Sequence, residues 1–165
     1  MSEHHWPAYA ILFFVLFQRL SELKIAQANT ARLLAAGAYE HAPGHYPLIV
    51  AVHAGWLATL FWLAPGRDIH WWLFALFMLL QAGRLWVLRT LGPRWTTRII
   101  VLPGAPLITG GPFRFVRHPN YLVVIGEIAV LPLVFGLWQV ALIFSILNAI
   151  VLTIRIRAEM GALGG

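Results

Sequence analysis

Five apolar stretches follow one another along this chain, at about residues 6–26, 48–63, 71–89, 120–135 and 139–157, and they leave no place for a water-soluble core. A helix crossing a bilayer needs about 20 mostly apolar residues, and each stretch approaches that length. Of the 165 residues 60% are hydrophobic and only 11% are charged, and the mean hydropathy is +0.76. Such a chain has too little polar surface to coat itself in water. The fold class that follows is an all-α integral membrane protein of about five transmembrane helices, forming a single domain over residues 1–165. Having no cysteine, it has no disulfide, thiolate metal site or cysteine nucleophile. Met1-Ser2-Glu3-His4-His5 lacks a basic leader and no small-residue cleavage site follows the first stretch, so no cleavable signal peptide is expected.

The basic residues set the orientation. Arg19, Lys24 and Arg32 follow the first span; Arg84, Arg89, Arg94, Arg98, Arg114 and Arg117 fall between the third and fourth; Arg155 and Arg157 end the fifth. Of the 12 lysines and arginines only Arg67 falls on the other side. This asymmetry predicts an outward N-terminus and a cytoplasmic C-terminus, in a bacterial inner membrane. The formal charge of +6 then fits anionic lipid headgroups rather than nucleic acid, because the arginines adjoin apolar spans.

The first span runs from about Trp6 to Leu20 and continues as helix to Ala28. Arg19 and Glu22, three apart, share a face and can pair there, either as an interfacial ion pair or in support of a site. Within Ala28–Pro47, the run Arg32–Gly37 reads as a short helix ended by glycine. His41, His45 and His53, with Glu40, match no standard ligand spacing, and no metal is expected; His53 reads as a buried hydrogen-bonding group. Pro65–His70 is short, which makes the second and third spans antiparallel neighbours. Trp56, Trp62, Trp71, Trp72 and Trp86 lie where an aromatic belt would put them. Leu91–Val116 is a long, turn-rich loop over the membrane face, with a short extended piece in Thr97–Leu102. Gly136-Leu137-Trp138 makes the fourth and fifth spans a tight hairpin.

One stretch, Gly110 to Tyr121, crowds Arg114, Arg117, His118, Asn120 and Tyr121 together just before the fourth span. Arg155 and Glu159, four apart, share a helical face at the end of the fifth. The hairpin brings these groups to one pocket at the bilayer surface. A carboxylate there can grip a ribose diol or an ammonium, and arginine suits a carboxylate or enolate. The pocket fits a polar cofactor from the cytosol meeting a lipophilic acceptor from the membrane; the alternative is a set of headgroup anchors. Glu127, about two turns into the fourth span, is either a base for a phenol or enol or a partner for Gln81 or Arg84.

Gly111-Pro112-Phe113-x-x-Val116-Arg117-His118-Pro119-Asn120-Tyr121 resembles the first signature of the isoprenylcysteine carboxyl methyltransferase family, and Arg155…Glu159 resembles its second. Arg19-x-x-Glu22-Leu23, Gly44-His45-Tyr46-Pro47 and Leu91-Gly92-x-x-Trp95-Thr96-Thr97 are similar to a small bacterial branch that O-methylates alkylpyrones and alkylresorcinols beside type III polyketide synthases. The resemblance implies S-adenosylmethionine as cofactor. It implies contacts from Ala105, Pro106, Leu107, Ile108 and Phe113, then from His118, Pro119, Asn120 and Tyr121, and from Glu159. It implies a substrate-contacting and catalytic role for Arg155; apart from the resemblance, Arg117 is read as a second substrate-binding arginine and Glu127, as an ionisable residue inside a span, as a further catalytic candidate. The chain departs from the pattern at Met160, where the family has a second glutamate, and at Phe113, which keeps a ring without a hydroxyl. The soluble-methyltransferase glycine fingerprint is absent, as this family implies. Three other readings stay open: a phospholipid N-methyltransferase, an NADPH-dependent reductase related to the longer sterol reductases, and a non-enzymatic membrane protein.

Overall fold

The structure, a computed structural model, describes residues 4–163; Met1–Glu3, part of the segment read for a signal peptide, and the last two glycines of the tail lie outside them. Five α-helices dominate: α1 (Trp6–Ala35), α2 (Tyr46–Leu63), α3 (Trp71–Leu91), α4 (Pro119–Val134) and α5 (Trp138–Leu163). Two short strands, β1 (Tyr39–Glu40) and β2 (Ile100–Val101), pair antiparallel. Among the described residues three helical segments are long and apolar enough to cross a membrane: Pro43–Leu63, Trp71–Arg94 and Trp138–Ala162. α4 is apolar but only 16 residues long, about 24 Å at 1.5 Å per residue.

α1 falls outside that set because of a polar stripe. Arg19, Glu22, Ala26 and Asn29 recur at helical spacing and turn inward, where Glu22 and Asn29 are buried. The Arg19–Glu22 pair exists, at 3.7 Å, but neither residue is an interfacial anchor. Arg84 Nε and Nη2 grip the two oxygens of Glu22 at 2.7 and 2.5 Å. Arg19 Nη2 reaches Glu127 Oε2 at 2.5 Å. The stripe bonds α1 to α3 and α4 through charges that cancel.

Arg32–Gly37 is not a separate helix. It is the end of α1, which runs unbroken because nothing between Ala28 and Arg32 interrupts it. Gly37 stops it at φ +94°: Gly37 N–H donates to Leu34 O and Ala38 N–H to Leu33 O, at 3.1 and 3.0 Å. This is the double closure that a left-handed glycine after a helix allows. The chain then enters β1, whose partner β2 lies inside the extended piece read from Thr97–Leu102.

The apolar core gathers Leu12 and Val15 of α1, Trp56 and Leu60 of α2, Phe77 of α3, and Ile128 and Leu131 of α4. α3 and α4 approach closely: a Cβ on Gly126 would lie 2.9 Å from Leu80 Cδ2. Trp56 is not a belt residue. Its ring is 1% exposed, and Nε1 donates to Ile128 O at 3.2 Å. Pro132, four residues on, has no N–H to offer that carbonyl, so the indole takes the missing place. Trp62, Trp71, Trp72 and Trp86 are exposed, as a belt requires. Phe135–Leu137 joins α4 to α5, with Gly136 at φ +68°. His53 is half-buried and bonds back to Ile49 O of its own helix at 2.9 Å.

Candidate active site

The hairpin sets the end of α5 beside the start of α4. Pro119 begins α4, where a residue without an N–H loses nothing, and Tyr121 follows in its first turn, 8% exposed. Its hydroxyl donates to Glu159 Oε1 and accepts from Arg155 Nε at 2.8 Å. Arg155 Nε also lies 3.4 Å from Glu159 Oε1, and its Nη1 donates to Thr97 O at 2.7 Å. His118 stacks on the Tyr121 ring at 5.2 Å between centroids, with Nδ1 3.7 Å from Glu159 Oε2. Carboxylate, phenol, guanidinium and imidazole therefore form one connected group.

That group forms part of the wall of a cavity of about 900 Å³, within the size range of small-molecule sites. His118, Pro119, Asn120, Tyr121, Arg155 and Glu159 all face it. Arg117 lines it too, exposed and with no side-chain hydrogen bond or ion pair among the described residues. Leu107, Ile108 and Phe113 line it; Ala105 and Pro106 do not. The Pro106 carbonyl instead accepts from Arg94 Nη1 at 2.5 Å. Met160 also lines the wall, so an apolar side chain stands there. The wall carries five arginines (Arg94, Arg98, Arg114, Arg117 and Arg155) and one glutamate.

Glu127 lies elsewhere. It is fully buried and outside the cavity wall. Gln81 Nε2 donates to its Oε1 at 2.8 Å, and Arg19 and Arg84 hold its Oε2 at 2.5 and 3.2 Å. Both partners the sequence suggested, Gln81 and Arg84, are there, and Arg19 joins them.

Sequence reasoning missed three contributors. Trp95 lines the cavity, buried, with Arg84 5.9 Å from its ring. Asn29 fixes it from α1, donating to Trp95 O and Gly92 O at 2.8 and 3.1 Å. Thr97 supplies the carbonyl that Arg155 grips. Backbone acceptors leave no mark in composition or spacing, and only the resemblance of Leu91–Thr97 to a bacterial branch flagged this segment. Among the described residues no group of three or more His, Asp or Glu side chains could hold a metal ion.

The sequence profile of the isoprenylcysteine carboxyl methyltransferase (ICMT) family matches residues 72–164, a span holding α4, α5 and the Tyr121–Arg155–Glu159 group. Over 163 residues, 96% of this chain and 95% of the other, the sequence is 38% identical to "Uncharacterized protein YpbQ" of Bacillus subtilis (strain 168). No solved structure matches the chain. The matched span takes in both polar motifs and the hairpin that joins them, and the chain belongs to the isoprenylcysteine carboxyl methyltransferase family of membrane methyltransferases.

Proposed function

We propose that this protein is an S-adenosylmethionine-dependent methyltransferase of the bacterial inner membrane that O-methylates a lipophilic, anionic acceptor, an alkylpyrone- or alkylresorcinol-like enol or an isoprenylcysteine-like carboxylate. In this reading all five helices span, with the N-terminus outside and the cavity at the cytoplasmic face. The ion pairs of α1 support its place in the bilayer, since they leave Arg19 and Glu22 internally paired.

The observation that carries the reading is the Tyr121–Arg155–Glu159 group in the wall of a cavity open to both motifs. The residues fit the cofactor. Among the described residues Glu159 Oε2 accepts no hydrogen bond and lies 3.7 Å from His118 Nδ1, which leaves an acceptor for an ammonium or a ribose diol. Asn120 Oδ1 is buried without a partner among the described residues, a second acceptor for a donor. Leu107, Ile108 and Phe113 give the apolar wall a flat heterocycle needs. When bound, the cofactor supplies an electrophilic methyl group on a sulfonium.

The chain's own residues orient and exclude. Arg155 is held by Thr97 O and the Tyr121 hydroxyl, so its remaining N–H groups are presented in a fixed direction to an acceptor oxygen. Arg117 adds a second, uncommitted guanidinium. A carboxylate is already ionised and a pyrone enol is acidic, so alignment and exclusion of water do most of the work. An excess of arginine in the wall supports an acceptor that carries an anionic group. Glu127 has no part in this chemistry, because its oxygens are occupied by Arg19, Arg84 and Gln81 away from the cavity.

The test is thermal shift of the purified protein with S-adenosylhomocysteine and with NADPH, followed by transfer of labelled methyl from S-adenosylmethionine to each acceptor class. Stabilisation by S-adenosylhomocysteine alone, with methyl ester or enol ether formed, is expected. Stabilisation by NADPH instead would make the chain a reductase.

A further inference from the structure

The cavity wall segment that holds Arg155 is itself held from outside the region matched to the family. Tyr46 stands at the start of α2, and its hydroxyl lies 3.2 Å from Thr97 Oγ1. Its ring carries Arg98, whose guanidinium carbon lies 4.3 Å from the ring centre. Arg98 Nη1 in turn donates to Glu40 Oε1 at 2.8 Å. Next to these, Ile100 and Val101 pair with Glu40 and Tyr39, and His41 N–H donates to Ile99 O at 2.9 Å. Residues 97–101 are thus clipped on one side by Tyr46, Glu40 and β1. On the other side they offer the Thr97 carbonyl to Arg155 Nη1 at 2.7 Å.

We infer that Tyr46 is a positioning residue for Arg155, acting through Thr97. Arg155 has two fixed contacts besides its helix neighbour Glu159: the Tyr121 hydroxyl and the Thr97 carbonyl. One comes from α4, within the hairpin. The other sits on an irregular segment that has no helix to hold it and depends on Tyr46 and β1 for its place. A guanidinium with one contact can swing about its side-chain bonds; with two it is fixed in a plane. Tyr46, which lies outside residues 72–164, thereby reaches Arg155 without touching it.

For its kinetic arm the inference rests on the methyltransferase reading, and its structural arm does not. In the full chain in detergent, solvent exchange of the Arg155 guanidinium N–H groups, Nη1–H included, is followed by NMR, the resonances being assigned by their loss in Arg155→Lys. Tyr46→Phe removes one hydroxyl and keeps the ring under Arg98. Loss of one hydrogen bond of ordinary net strength corresponds to exchange faster by a few-fold to about tenfold. Thr97→Val should reproduce that rise, and Thr97→Ser, which keeps the hydroxyl, should retain the wild-type exchange rate. Methyl transfer by Tyr46→Phe should fall by a similar factor, with S-adenosylhomocysteine affinity unchanged. Unchanged exchange in both Tyr46→Phe and Thr97→Val would overturn the inference. So would cofactor affinity falling in step with turnover, which would make the effect a general loosening of the site. Faster exchange in a protein that transfers no methyl group would uphold the positioning role and remove the methyltransferase reading instead.

Discussion

Tyr121 and Glu159 lie 38 positions apart in sequence and share a hydrogen bond, and this bond closes the hairpin of α4 and α5 at the end that carries the cavity. The same carboxylate oxygen faces Arg155, so one acceptor ties together a phenol and a guanidinium from two helices.

Glu159→Ala should therefore weaken S-adenosylmethionine binding by roughly 1.5–3 kcal/mol, the worth of a charge-assisted hydrogen bond. Calorimetry on the folded variant measures it, with Glu159→Gln as the milder companion. Wild-type affinity in both would show that the end of α5 does not hold the cofactor.

Arg155→Ala should separate the two ligands. Cofactor binding should stay nearly intact while methyl transfer falls steeply, and Arg155→Lys should restore only part of it, because lysine brings charge without the planar fork. Cofactor affinity falling in parallel with turnover would move Arg155 into the cofactor's shell. Near-normal turnover in the alanine variant would leave it a headgroup anchor.

Glu127→Ala should act on stability, not chemistry. It leaves Arg19 and Arg84 facing each other with one carboxylate between them, and breaking a buried ion pair costs about 3–5 kcal/mol. The double variant Arg19→Ala with Glu127→Ala removes one charge of each sign, keeps the Glu22–Arg84 fork, and should unfold less readily than Glu127→Ala alone. Thermal unfolding in detergent gives the order. A Glu127→Gln protein that is fully stable yet inactive would return Glu127 to the catalytic candidates.

Topology is open to direct test. Reporter fusions in the connection from α3 to α4, residues 92–118, should report the cytoplasm, and fusions at Arg67 the outer side. The reverse result for the first would place the cavity on the wrong face for a cytosolic cofactor.

Helices and hairpin were legible in the sequence because apolar length and short polar breaks decide them directly. The approach of Arg155 and Glu159 to Tyr121 was legible too, since a three-residue connection forces α4 and α5 to lie side by side. The partners of Arg19 and Glu22 were not. Spacing along α1 showed that they could meet each other, but it says nothing of side chains from α3 and α4 that arrive on the same face. Trp56 was misplaced for a related reason: its partner is a carbonyl set free by Pro132, which no count of tryptophans near helix ends can show. The role of Thr97 rests on a main-chain oxygen, which every residue has.

The polar stripe of α1 bears on how the protein is made. α1, carrying Arg19 and Glu22, precedes α3 and α4 in the chain, and Glu127 is synthesised 108 residues after Arg19. Until then the arginine has only its neighbour three positions on, and an arginine near the middle of a lone helix costs about 2.5 kcal/mol or more to insert. If α1 spans as proposed, its final seat exists only once α3 and α4 have been delivered. Truncation of the nascent chain before residue 127 should leave α1 loosely inserted and extractable from the bilayer, and extension past that point should lock it in.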